Sequence, residues 1–178
     1  QTQDHPQFKT YGEELKWLTT DKTRMKWVAN TIKDISSSGN TLILVDRISA
    51  GEILEEQIED AVFVSGSTKN TDRKEQYDEI STATNKVIIA TYGVAAVGIN
   101  IPRIFNLVLI EPGKSFVRVI QSIGRGIRKA EDKDSVQIWD ITSSCKFAKR
   151  HLGARKKFYK EANYPYNIEK INYENPYT

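Results

Sequence analysis

Five short apolar runs limit what this chain can fold into: "TLILV" (41–45), "AVFV" (61–64), "KVIIA" (86–90), "NLVLI" (106–110) and "VQIWDI" (136–141). They are rich in Val and Ile, and polar residues do not alternate with apolar ones along them. A strand with one face in water alternates. A strand covered on both faces does not, so runs of this kind predict a parallel sheet. Parallel strands need crossovers, and helical patterns stand between the runs. "AGEILEEQIED" (50–60), "TDRKEQYDEIST" (71–82) and "SFVRVIQSIGRGI" (115–127) are three of them. The alternation predicts an α/β fold: an open, mostly parallel sheet of five or six strands with helices on both faces.

Ahead of the first run, "DKTRMKWVANTIKDISSSG" reads as a capped helix. Asp21 is placed to cap its start, Met25, Val28, Ile32 and Ile35 share one face, and Gly39 ends it. Residues 1–20 read as a lead-in segment or linker, 21–142 as the α/β domain, and 143–178 as a basic helix and tail. That last helix is expected over about 143–162 and interrupted at Gly153. At 178 residues, 39% hydrophobic and 28% charged, the chain suits one soluble core. No run approaches the roughly 18 apolar residues of a membrane span, so no membrane partner and a cytoplasmic location are expected. The sequence opens on Gln1, as a piece of a longer protein would. Cys145 is the only cysteine, so no internal disulfide can form. Together with His5 and His151 it makes a poor metal or thiol site, and no metal ligands are assigned.

Charge is unevenly spread. Residues 146–160 carry Lys146, Lys149, Arg150, Arg155, Lys156, Lys157 and Lys160 with no acid, against a net charge of +3 for the whole chain. A basic stripe on a nearly neutral body fits an anionic partner, or else a solvated helix face. Phe147, Phe158 and Tyr159 lie among these cations. They suit stacking on nucleic acid, or docking on the sheet.

In "QSIGRGIRK" (121–129) two arginines stand three apart beside two glycines. On a helical wheel Phe116, Ile120, Ile123 and Ile127 form one apolar stripe. Gln121, Arg125 and Arg128 fall on the opposite side, with Arg118 beside them. Gly124 and Gly126 remove bulk around the guanidiniums, which suit phosphate oxygens through paired, permanently charged hydrogen bonds.

"QSIGRGIR" resembles motif VI, Q-x-x-G-R-x-x-R, of superfamily-two helicases. "IIATYGVAAVGINIP" (88–102) resembles their motif V, "TLILVDRISAGEIL" (41–54) motif IV, and "VFVSGST" (62–68) followed by Arg73 the strand–glycine element after it. The four pieces occur in the family's order over residues 21–142, and the likeness is greatest to phage recombination and repair helicases. It implies the second, C-terminal RecA-like domain of a two-domain motor. ATP and Mg²⁺ would then be bound mainly by an N-terminal RecA-like domain that carries the P-loop and acidic motif, and which these residues lack. By resemblance Arg128 is the arginine finger and Arg125 its neighbour on the phosphates. Gln121, Gly98 and Asn100 would face the nucleotide, although many relatives have Asp where Asn100 stands. Thr91, Arg47, Ser65 and Gly66 would meet the nucleic-acid backbone, joined by Lys149 and Lys156 of the basic helix. Thr91 can equally serve as a helix N-cap.

Implied partners are DNA, of a branched kind, and the N-terminal motor domain of the same protein. The implied activity is ATP-dependent remodelling of branched DNA: fork regression, branch migration or R-loop unwinding. A non-enzymatic nucleic-acid-binding module with the same fold is the alternative. "EPGKSF" (111–116) ends like a Walker A loop, but the full pattern needs glycine where Val108 stands. "YDEI" (77–80) sits in a helical pattern and is no acidic metal motif.

Overall fold

The computed structural model describes residues 5–66, 75, 85–96, 104–113, 119–120 and 136–173. The strands are β1 (Thr41–Val45), β2 (Val62–Val64), β3 (Val87–Thr91), β4 (Asn106–Ile110) and β5 (Gln137–Ile141). They form one sheet in the order β2-β3-β1-β4-β5, and every neighbouring pair is parallel. Each strand falls on a predicted run. The helices are α1 (Tyr11–Thr20), α2 (Lys22–Ser36), α3 (Ile48–Gln57), α4 (Tyr92–Ala96) and α5 (Lys146–Glu161).

Successive strand residues enter two different cores, which is why the runs carry no polar alternation. Leu42, Leu44, Ile88, Ala90, Leu107 and Leu109 point to one face; Ile43, Val45, Val87, Ile89, Val108 and Ile110 point to the other. The second face is covered by Met25, Val28 and Ile32 of α2 and by Ala50 and Leu54 of α3. The first is covered by Val94 and Ala95 of α4, by Val119 and Ile120, and by Tyr159 of α5. Helices thus lie on both faces.

Asp21 makes the join between the first two helices. Its backbone N–H closes α1 on the Trp17 carbonyl at 2.9 Å, and its carboxylate accepts from the Arg24 N–H at 3.0 Å to open α2. The helix expected over 50–60 begins and ends a little earlier, as α3. Those expected over 71–82 and 115–127 lie outside the described residues, apart from Glu75, Val119 and Ile120, which are helical.

Two expectations need correction. Part of the supposed lead-in, residues 11–20, is the helix α1, and it docks on α5. Leu18 packs against Cys145 and Ala148. Buried Glu14 accepts from the Phe147 and Ala148 N–H groups, each at 2.9 Å, and so caps α5 where Cys145 has no side-chain cap of its own. The sequence hides this helix because its apolar stripe is narrow and one of its buried residues is a glutamate. Burial pushes the Cys145 thiol up, away from thiolate chemistry.

The second correction concerns Gly153, which does not interrupt the basic helix: α5 runs unbroken from Lys146 to Glu161. One glycine costs roughly 1 kcal/mol in a helix interior, and packing of the turns on either side outweighs it. A Cβ at 153 would meet nothing within 4 Å. Gly153→Ala is therefore expected to stabilise the fold by about 0.5–1 kcal/mol. A urea titration should show a raised midpoint at unchanged slope.

Candidate functional site

In an open parallel sheet, ligands collect beyond the carboxyl ends of the strands. Four of the residues singled out in the sequence stand there. Val45 of β1 pairs with Thr91 of β3, and Val64 of β2 pairs with Ala90. Thr91, Ser65 and Gly66 therefore sit at nearly one level on adjacent strands, with Arg47 just past the end of the third. Thr91 is half-buried, and its hydroxyl oxygen accepts from the Val94 N–H at 3.2 Å, which caps α4. The N-cap reading is thus seen, and the hydroxyl still has a proton to donate. Ser65 is buried; Gly66 is exposed, with open space where a Cβ would stand. A backbone can approach closely there.

Arg47 is held from one side. Its terminal nitrogen donates to the Gly12 carbonyl of α1 at 3.3 Å, while its Nε is buried with no partner among the described residues. The guanidinium is thereby anchored to α1 at this edge of the sheet.

The α5 helix has two unlike sides. Lys146, Lys149, Arg150, Lys157 and Lys160 are exposed, and Lys156 is half-buried beside them. Ala148, His151, Arg155 and Tyr159 are buried. Arg155, counted from sequence in the basic stripe, belongs to the inner side. The Phe147 ring is half-buried against Tyr11, with Lys146 and Arg150 each 5.6 Å from its centroid. Phe158 is partly buried on the sheet-facing core. Both rings are docked.

A buried polar network occupies the carboxyl ends of β4 and β5. Arg155 is 1% exposed; its Nε and one terminal nitrogen donate to the two Asp140 oxygens at 2.7 and 2.9 Å. Its other terminal nitrogen donates to the Pro112 carbonyl at 2.8 Å. The Tyr159 hydroxyl donates to Asp140 at 2.8 Å, and burial followed by the Asp140 charge pushes that phenol well up. Arg24 donates to the carboxylate of Glu111 and to the Leu18 carbonyl, all of it buried. Burial pushes the Glu111 carboxyl up, while Arg24 and Arg155 pull it back.

Residues 23–130 match the family described as the helicase conserved C-terminal domain. The chain belongs to that family. Among its relatives is the ATP-dependent DNA helicase uvsW of Enterobacteria phage T4, 29% identical over an alignment of 155 residues that covers 84% of this chain and 31% of that protein. Another is the putative helicase 22 of Sulfolobus islandicus filamentous virus, 29% identical over an alignment of 137 residues that covers 75% of this chain and 24% of that protein. The chain spans about a third or less of the length of these relatives. The crystal structure of T4 UvsW superposes with a TM-score of 0.81 at 24% identity, over 93% of this chain and 38% of that one. The fold is that of a RecA-like helicase C-terminal domain.

Of the residues expected to act in this helicase domain, Gln121, Gly98, Asn100, Arg125 and Arg128 lie outside the described residues. Ile120, from the apolar stripe of the same segment, is buried in the core, as that stripe requires. Val108, where a Walker A loop would need glycine, sits inside β4 opposite Ile43 and Trp139, so no phosphate loop can form there. Among the described residues no group of three His, Cys, Asp or Glu is placed to hold a metal ion, and no helix is long and apolar enough to cross a membrane.

Sequence reasoning missed Glu14, Arg24, Glu111, Asp140 and Arg155. One signal was present: Asp140 interrupts an apolar run, and Arg24 stands four residues before Val28 on the buried stripe of α2. A charge inside an apolar period calls for a partner.

Proposed function

We propose that this chain is the second motor domain of an ATP-dependent DNA helicase or translocase that remodels branched DNA. In that role Arg128 meets the γ-phosphate of ATP held mainly by an N-terminal RecA-like domain. Arg125 lies beside it, and Gln121, Gly98 and Asn100 line the nucleotide side. Mg²⁺ would be held by that other domain together with the ATP phosphates. Thr91, Arg47, Ser65 and Gly66 hold the nucleic-acid backbone, with no base readout, as a motor that steps along any sequence requires.

The observation that carries this reading is the row formed by Thr91, Ser65 and Gly66, with Arg47 beside it, across three adjacent strand ends of a helicase C-terminal domain. Kinship with a protein named an ATP-dependent DNA helicase supports DNA as the polymer. The branched substrate, whether by fork regression, branch migration or R-loop unwinding, rests on the same kinship. The exposed cations of α5 add phosphate-binding groups outside the motor edge.

The test compares ATP hydrolysis by the longer protein with that of these 178 residues alone. The longer protein should hydrolyse ATP in a DNA-stimulated manner and the isolated chain negligibly. Turnover by the isolated chain at a comparable rate would reject the two-domain motor. A companion test concerns α5. Replacing Lys149 and Lys156 together by glutamate in the longer protein should weaken binding equally for all DNA sequences. The slope of log affinity against log salt should fall by about 1 for each phosphate that is no longer neutralised.

A further inference from the structure

The family match ends at residue 130, and α5 lies beyond it. Yet the inner side of α5 reaches back into the matched region, through Tyr159 in the core of the sheet face and through Arg155 at the loop Glu111–Gly113. This loop leaves the carboxyl end of β4 and leads in sequence into the segment that carries Arg125 and Arg128.

Hydrogen bonds hold Glu111, Pro112 and the residue just before them. The carbonyl of Ile110 accepts from the Tyr92 hydroxyl at 3.1 Å. Glu111 holds a φ of +44°, in the left-handed region that costs a non-glycine residue on the order of 1–3 kcal/mol. It is kept there by its N–H on the Ile141 carbonyl at 3.0 Å and its carboxylate on Arg24. The Pro112 carbonyl accepts from Arg155. A Cβ at Gly113 would stand 3.1 Å from the Tyr11 hydroxyl, so that wall is already close. Beyond the loop, Val119 and Ile120 enter the same core cluster as Tyr159, four residues along α5 from Arg155. Strain held by converging hydrogen bonds marks a position that the surrounding structure over-determines.

We propose that Arg155 is a positioning residue: it fixes the Pro112 carbonyl to Asp140 and thereby sets the starting point of the arginine-bearing segment. The guanidinium is suited to this because its planar fork reaches two acceptors at once. One side grips both carboxylate oxygens of Asp140, and the remaining nitrogen takes the loop carbonyl. A lysine has one point charge and cannot span both in fixed geometry. Asp140 and Tyr159 hold the fork in orientation. The inference rests on the motor reading above, in which the downstream arginines act on ATP.

The experiment uses a protein that joins this chain to the proposed N-terminal motor domain, with Arg155→Lys, and Asp140→Asn as a second variant that keeps the shape of the partner but turns one of its two acceptor oxygens into a donor. Turnover is counted per DNA-binding-competent molecule, so that loss of folded protein does not register as loss of rate. A misplaced catalytic group should lower kcat by about 10- to 100-fold. KM for ATP and affinity for DNA should stay within about twofold, because in the motor reading ATP is held mainly by the other domain and DNA by the row at Thr91. Asp140→Asn should show a smaller fall of the same pattern. Arg128→Ala is run alongside. If it abolishes turnover while Arg155→Lys and Asp140→Asn keep wild-type kcat, the positioning role is overturned and the motor reading stands. If Arg128→Ala itself leaves turnover intact, the motor reading fails and this inference fails with it. A rise in KM at unchanged kcat would likewise overturn the positioning role.

Discussion

If Arg128 is the arginine finger proposed above, replacing it by alanine in a protein that joins this domain to the proposed N-terminal motor domain should reduce ATP turnover by about 10³- to 10⁵-fold while DNA binding is retained. The size follows from where an arginine finger acts. It meets charge that develops on the transferring phosphoryl group, so its removal raises the barrier without much change to the bound ground state. KM for ATP should therefore move far less than kcat. Lysine at the same position should recover little, since one ammonium does not replace a fork that spans two phosphate oxygens. Arg125→Ala should cost less, as its expected place is beside the reacting phosphate. Steady-state hydrolysis with saturating DNA, paired with a binding titration, checks all three. Turnover that survives Arg128→Ala would favour the non-enzymatic binding module instead.

The largest expected effect on stability lies at Asp140. Arg155 is 1% exposed, and Asp140→Ala would leave its charge buried without the carboxylate that its fork grips. Removing one member of a buried pair typically costs about 3–5 kcal/mol, because the other charge remains desolvated. Replacing both members by apolar residues of similar volume costs far less. Asp140→Ala should therefore be severely destabilising, and Asp140→Ala combined with Arg155→Met should be more stable than the single variant. Equal destabilisation in both, measured by urea unfolding, would show that the ion pair is not the source of the loss.

Much of the fold could be read from one physical fact, that a strand buried on both faces has no reason to place polar residues at alternate positions. All five strands were legible for this reason, and so was the edge where Thr91, Ser65, Gly66 and Arg47 meet, because strand ends follow from strand positions. The buried charges were not legible. Arg155 sits among six other cations on a helix and looks like one more solvated charge until the sheet is placed beside it. Helix α1 was missed because it buries a glutamate to cap another helix, a role that exists only in three dimensions. Helix α4 is five residues long and lies inside a motif, too brief for any period to emerge. The residues expected on the nucleotide side were legible as a motif alone, since they fall outside the described residues.

Glu14 and Arg155 have a practical consequence for anyone cutting this protein into pieces. The family signature spans residues 23–130, yet the helix supplying the first lies upstream of it and the helix supplying the second lies downstream. A fragment trimmed to the signature would also lose β5, exposing the flank of β4. The smallest piece expected to fold independently is thus set by these outlying helices, and truncation designs should run from about Phe8 to at least Tyr159.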